Sequence, residues 1–438
     1  MKSSDYAYEI LELLESRGFE AYFVGGCVRD MFMGRTAHDY DITTNALPEE
    51  IKEVFSDFDV IPTGLKHGTV TVMNGGIPFE VTTYRVDGDY SDSRRPDSVR
   101  FTSDIEQDLA RRDFTINAIA MNRNGSVIDP FGGKNDIEKH IIRCVGEPEK
   151  RFSEDALRII RAVRFAAQLD CVIESATSRA VHSMKNSLDI ISRERIRDEI
   201  DKLICGTNCL DVLLEYSDVI SVVIPEFADC VGFDQRSDYH KYDVWEHIIR
   251  AMILSPPDNL LLRRALFFHD IGKPACATYD EQGKGHFKGH DTISADMTEI
   301  IMKRLKYDKK SIHDTAEIIR YHRFKGNTKP AVKKMLNILG DRLFFELIEL
   351  KKCDNQAKNH FVRRENDDLD IASAVAHEIL SSGECFSVSQ LAVDGNDLIQ
   401  HGVQGVEIGE MLDEILELVI DEKIPNDRTE ILNFIRQR

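Results

Sequence analysis

The stretch AYFVGGCVRD, residues 21–30, followed after a short gap by DYDITT, residues 39–44, decides how the chain is read. AYFV has the aromatic and β-branched character of a strand, and the Gly-Gly pair that follows predicts a turn into a helix. Such a turn lets backbone amides approach an anion, and the helix start adds a positive dipole end, so the place suits a phosphate. In a strand, residues i and i+2 share a face, so Asp39 and Asp41 are expected side by side. Two carboxylates so placed repel unless a cation lies between them. Magnesium fits, because it takes hard oxygen ligands and shares them with substrate phosphates. Glu80, in PFEVTTYR (78–85), is the candidate third carboxylate.

Working outward, Ile10, Leu11, Leu13 and Leu14 before Gly18 predict a helix over residues 5–18. GTVTVM (68–73), PFEVTTYR (78–85) and SVIDP (126–130) join 21–26 and 39–44 as predicted strands. After about residue 136 the apolar spacing turns helical, as in SEDALRIIRAVRFAAQ (153–168) and SRERIRDEIDKLI (192–204). The fold class expected is therefore α+β and multidomain, with a small mixed-sheet head ahead of an all-α remainder.

The chain has 438 residues and a formal charge of −20, which argues against a protein that coats nucleic acid. The charge is uneven: residues 85–200 hold 20 basic against 21 acidic side chains, and residues 301–350 hold 12 against 6. A polyanion site is expected on one of these two stretches. The start, MKSSDYAYEI, has no apolar core of a signal peptide, and no stretch is long and apolar enough to span a membrane, so a cytoplasmic location is expected. The nine cysteines are scattered without CxxC pairs, which points away from disulfides and zinc.

Alone, a Gly-Gly turn is a loop and an Asp-x-Asp pair a solvated edge. Joined in this order they resemble the nucleotidyltransferase superfamily that includes DNA polymerase β, in which two metals activate a hydroxyl and stabilise the leaving pyrophosphate. Further motifs narrow the resemblance: the polar, turn-rich DGDYSDSRRPD (87–97), RRDFTINA (111–118), the DPFGG turn (129–133), EDALR (154–158) and ERIRDE (194–199). Together they are similar to the class II tRNA nucleotidyltransferases, the CCA-adding enzymes and bacterial poly(A) polymerases, over residues 20–205. The resemblance implies that Asp39 and Asp41 are the metal-binding catalytic pair and that Gly25, Gly26 and Arg29 contact the triphosphate. Arg111, Arg112, Asp113 and Asn117 would hold ribose and triphosphate. Glu154, Asp155, Arg158 and Arg161 lie on the polar side of a helix from 153, and the first three match the protein template that reads the incoming base. That role makes chemical sense. A carboxylate accepts from an exocyclic amine while a guanidinium donates to a ring nitrogen, an order that cytosine and adenine offer and uracil and guanine reverse.

Downstream, His247, His269 with Asp270 (LFFHDIGK), and Asp354 resemble the HD-domain metal phosphohydrolases. His290 and His322 could serve a second metal. The expected domains are a nucleotidyltransferase head (1–140), a helical neck with the base-selecting helix (141–224), an HD body (225–360) and a helical tail (361–438). The resemblance implies addition of CCA to the 3′ end of tRNA from CTP and ATP, with Mg²⁺ in the head and a divalent metal of unspecified identity in an HD domain that could hydrolyse phosphate esters. Poly(A) synthesis is disfavoured by GRTAHDYD (34–41), which lacks the Gly-Arg-Arg/Lys-Phe run of those polymerases. CC-only addition is disfavoured by the intact 87–97 loop. The shared motifs do not separate full CCA addition from addition of the terminal A. An inactive head on an RNA-binding or HD phosphohydrolase module is the alternative from another class. The sequence leaves the oligomeric state open.

Overall fold

Strand β1 (Ala21–Val24) is the pivot of a seven-stranded mixed sheet. Its neighbours are β2 (Asp41–Thr44) and β8 (Ala120–Met121), both antiparallel to it. Outside β2 lie β5 (Ile77–Thr83), β4 (Thr69–Asn74) and β3 (Asp59–Gly64), and outside β8 lies β9 (Val127–Ile128), giving the order β3-β4-β5-β2-β1-β8-β9. Among the described pairs of this sheet, β2–β5 alone is parallel. A separate hairpin pairs β6 (Arg85–Asp87) with β7 (Val99–Phe101). The computed structural model describes residues 3–37, 39–88, 98–238, 240–358 and 365–437. The expected loop 87–97 therefore lies, from residue 89 on, outside the described residues.

The sheet is covered by helices whose apolar faces supply the core. In α1 (Ser3–Ser16) the buried residues are Ala7, Ile10, Leu11 and Leu14, the one-face spacing of a surface helix. Below them Phe23, Ile42, Val70, Val72, Phe79 and Val81 close the inner face of the sheet. Helices α2 (Gly26–Phe32), α3 (Pro48–Val54), α4 (Ile105–Ala110) and α5 (Gly133–Glu138) complete the head.

Helices α6 (Pro148–Glu154), α7 (Leu157–Leu169), α8 (Ser175–Met184), α9 (Arg193–Ile204), α10 (Cys209–Glu215) and α11 (Ser217–Val223) follow. The single helix expected from residue 153 is instead two. Asp155 is extended, at φ −141° and ψ 103°, and its Oδ1 accepts the Leu157 amide at 3.1 Å, the work of an N-terminal cap. The strand expected over 39–44 starts at Asp41, with Asp39 in the bend before it. The remainder is not wholly helical either, since Ile141–Ile142 pairs with Val172–Ile173 and Thr278–Tyr279 with Gly285–His286.

Two compact units divide the chain, residues 1–225 and 226–438. The second is built on α12 (Val244–Ile253), α13 (Leu260–Phe268), the short α14 (Lys273–Cys276), α15 (His290–Arg304), α16 (Lys309–Arg320) and α17 (Lys329–Ala357). Gly340 interrupts α17 at φ 70°, ψ 173°, a conformation that only glycine adopts without strain. Phe227, Trp245, Phe267 and Phe268 form an aromatic core with ring centroids 4.7–6.0 Å apart. The helices α18 (Glu365–Ser382), α19 (Gly395–Gln400), α20 (Glu407–Ile420) and α21 (Arg428–Arg436) end the chain. No described helix is long and apolar enough to cross a membrane.

Candidate active site and metal centre

Register places the head carboxylates. Asp41 pairs with Val24, so the first residue of β2 lies abreast of the Gly25 turn. Ile42 pairs with Val81, which puts Asp41 level with Glu80 on the parallel neighbour β5. Asp39, Asp41 and Glu80 line one cavity of about 380 Å³ with Thr71 and Ser3. Burial raises the Asp41 carboxyl above its ordinary range; Arg112 opposes the shift and Asp39 adds to it. Burial, Asp41 and Asp39, in that order, raise Glu80. Asp39, Asp41 and Glu80 thus place hard oxygen donors on the wall of one cavity, a donor type that suits a divalent metal.

Gly25 is left-handed at φ 72°, and a Cβ there would stand 3.1 Å from Arg112 Nη1 and 3.4 Å from Asp41 Oδ2. Only glycine therefore lets the turn approach this guanidinium and the carboxylate together. Arg29 is fixed by Nη1 donating to Asn117 Oδ1 at 2.8 Å and by its neighbour Asp30. Asn117 Nδ2 donates to Asp113 Oδ1 at 3.0 Å, and Asp113 Oδ2 receives Arg161 at 2.6 Å. Glu199, from the 194–199 motif, takes Arg164 at 2.9 Å and Arg161 at 3.6 Å. A polar chain thus runs from the Gly-Gly turn through the 111–118 motif to α9. Asp113 is buried, yet the Arg161 guanidinium and Asn117 amide outweigh burial and hold its carboxyl well below the usual range.

The base-reading candidates sit around the α6–α7 break. Asp155 Oδ2 receives Arg195 at 2.8 Å, and Arg158 donates to Glu154 at 2.8 Å and to the Arg111 carbonyl at 2.9 Å. Two residues of consequence escaped the sequence reading. One is Arg195, hidden inside a helical charge run. The other is Asp108, three residues ahead of the double arginine.

In the second unit the four expected ligands converge. His247, His269, Asp270 and Asp354 each present one ligand atom, all within 4.8 Å of one another. His247 Nε2 lies 3.0 Å from Asp354 Oδ1 and 3.3 Å from Asp270 Oδ2, and His269 Nε2 lies 3.2 Å from the same Asp270 oxygen. The other Asp270 oxygen faces His290 at 3.3 Å and His322 at 3.9 Å. The Nδ1 atoms of His269, His290 and His322 each face a carbonyl at 2.6–2.7 Å, which only a donor can satisfy. The Nε2 lone pairs of neutral His290 and His322 then meet at 3.1 Å, an arrangement that calls for a cation. Burial lowers both of these imidazoles. Burial would lower His269 too, but Asp270 and Asp354 push it up to about 9. Lys273 on Asp270 at 2.6 Å, and Lys358 on Asp354, carry the rest of the positive charge.

A carboxylate cluster abreast of a Gly-Gly turn on a mixed sheet, followed by a helical neck, defines the class, a nucleotidyltransferase. The sequence model for the poly A polymerase head domain matches residues 21–143, and that for the "Probable RNA and SrmB- binding site of polymerase A" matches 172–230. A tRNA nucleotidyltransferase domain 2 model matches 292–435. The chain is 36% identical to the CCA-adding enzyme of Lactobacillus helveticus, across 98% of this chain and 96% of that protein. For the CCA-adding enzyme of Oceanobacillus iheyensis the identity is 35%, with the same coverage. Among solved structures, Bacillus stearothermophilus CCA-adding enzyme in complex with CTP aligns over 100% of this chain and 98% of that one, with TM-score 0.75 and 29% identity. The chain belongs to the CCA-adding enzyme family.

Proposed function

We propose that the protein adds C, C and A to the 3′ end of tRNA from CTP and ATP, using Asp39, Asp41 and Glu80 to hold divalent cations. The observation that carries this is Asp41 abreast of the Gly25 turn, with the Arg112 guanidinium and the Asp41 carboxylate both close against that turn, in a chain of this family. Magnesium bound by these oxygens supplies Lewis acidity toward the attacking 3′-hydroxyl and the leaving pyrophosphate. Gly25 and Gly26 leave room for the triphosphate, and Arg29, Arg111 and Arg112 balance its charge. Asn117 and Asp113 keep Arg29 aimed through the chain of hydrogen bonds described above. Asp155 and Arg158 select bases with an exocyclic amine beside a ring acceptor. The test is incorporation of labelled CTP and ATP on tRNA ending at the discriminator base and on tRNA ending in CC. Extension of the first substrate to full CCA supports the reading; extension of the CC-ended tRNA alone would mean terminal A addition only.

A second activity is favoured by the shared Asp270. We propose that His247, His269, Asp270 and Asp354 hold one divalent metal, that His290 and His322 with Asp270 hold another, and that the centre hydrolyses phosphate esters as HD-type sites do. Purified protein given Mn²⁺, Ni²⁺ or Mg²⁺ and a phosphomonoester or 2′,3′-cyclic nucleotide should release product. His269→Ala with Asp270→Ala should abolish that release and leave CCA addition intact.

A further inference from the structure

Asp108 is fully buried on α4, in a place that no substrate carboxylate role explains. Its two oxygens are divided among five donor groups from four residues. Oδ1 takes Arg111 Nε at 2.9 Å and Nη2 at 2.8 Å, and the backbone N–H of Arg85 at 3.3 Å. Oδ2 takes Arg112 Nη2 at 3.5 Å and lies 3.3 Å from the Thr43 hydroxyl, whose one proton it shares with the Thr82 carbonyl at 3.1 Å. Thr43 stands two residues beyond Asp41 on β2, so one carboxylate ties both arginines of the 111–118 motif to the strand that bears the metal-binding carboxylate. Burial alone would neutralise Asp108, but Arg111 and Arg112 outweigh it and keep the charge in place. Arg112 Nε is buried without a partner, and Nη1 points to the Gly25 turn. The guanidinium therefore meets Asp108 through Nη2 and the Gly25 turn through Nη1.

We infer that Asp108 is a positioning residue for nucleotide binding: it sets Arg111 and Arg112 at a fixed distance from the Asp41 strand, so that a triphosphate meets guanidinium and metal-binding carboxylates in register. A guanidinium that pivots by about 1 Å loses its charge-assisted hydrogen bonds to phosphate, whereas the carboxylates on β2 and β5 are untouched. The inference rests on the reading of these arginines as triphosphate contacts, and the two can fail separately.

The experiment is steady-state addition by full-length Asp108→Asn and Asp108→Glu, with CTP and ATP varied at saturating tRNA, then tRNA varied at saturating nucleotide. Asparagine keeps the shape and removes the charge; glutamate keeps the charge and displaces it by one methylene, and it serves where the asparagine variant folds poorly. Both should raise KM for CTP and for ATP roughly 10- to 100-fold, with kcat changed far less and KM for tRNA unchanged. Arg111→Lys alone should raise nucleotide KM, and combining it with Asp108→Asn should add less than the sum of the two, the remainder acting through Arg112. An Asp108 variant that lowers the melting temperature while nucleotide KM stays at the parent value overturns the inference, and so do penalties that add in full. An Arg111→Lys protein with parental nucleotide KM overturns the arginine assignment and the inference with it.

Discussion

Asp41 illustrates how one residue can be legible in sequence while its environment is not. The Asp-x-Asp spacing pointed to it, but that it faces Glu80 across β5 follows from a parallel register no local pattern encodes. Asp41→Ala should abolish nucleotide incorporation and leave tRNA binding within about 2-fold by filter binding, because the change removes a ligand of the proposed metal and no core contact. Nucleotide addition at the parental rate by this variant would refute the assignment. Asp113 carries a different prediction. Its carboxyl is depressed in the folded state by Arg161 and Asn117, so it contributes stability above its unfolded pKa of about 3.9, and that contribution fades as pH falls below it. At pH 7 Asp113→Asn should cost roughly 1–3 kcal/mol in denaturant unfolding, since a charged hydrogen bond to Arg161 is lost. The gap between parent and variant should narrow below about pH 4; a constant gap would mean the carboxylate charge is not what stabilises.

Among the elements, the α6–α7 break is the sharpest departure from the sequence reading. Ala156, Ile159, Ile160 and Val163 keep one apolar face through the region, so periodicity alone runs straight across it. The capping bond from Asp155 leaves Asp155 and Ala156 outside both helices, while Ala156, Ile159, Ile160 and Val163 all stay buried. The edge strand β3 was missed for another reason: DVIPTG holds a proline and a glycine and leaves Ile61 exposed, which reads as a loop. The break bears on the proposed base choice, because Asp155, extended there, is held by Arg195 of α9. Arg195→Ala should therefore loosen Asp155 and raise misincorporation of UTP or GTP relative to CTP about 10-fold or more, with smaller loss of overall rate. Equal discrimination in parent and variant, read by competition between labelled nucleotides, would separate Arg195 from base choice.

At the scale of the molecule, two expectations drawn from charge and histidine spacing fared differently. The basic stretch 301–350 is largely spent on internal pairs: Arg304 with Glu226, Arg320 with Asp296 and Glu299, Lys329 and Lys333 with Glu384, Lys334 with Asp421, and Arg342 with Asp314. A charge count could not foresee that, since the partners lie up to 87 residues away along the chain. The ordered His, His-Asp and Asp of the second unit, by contrast, do meet, because helices α12, α13 and α17 each bring one end to the same point. Without a metal this centre keeps its anionic oxygens balanced by a proton on His269, held up to about 9, and by Lys273 and Lys358. A divalent cation must displace that proton, so binding should release protons at pH 7 and tighten as pH rises toward 9. Calorimetric titration of Mn²⁺ into Asp41→Ala protein, in buffers of different ionisation enthalpy, reads this directly while the head contributes little. His247→Ala with Asp354→Ala should remove the proton-linked phase. Binding that is independent of pH, or that survives the double substitution, would place the metal elsewhere.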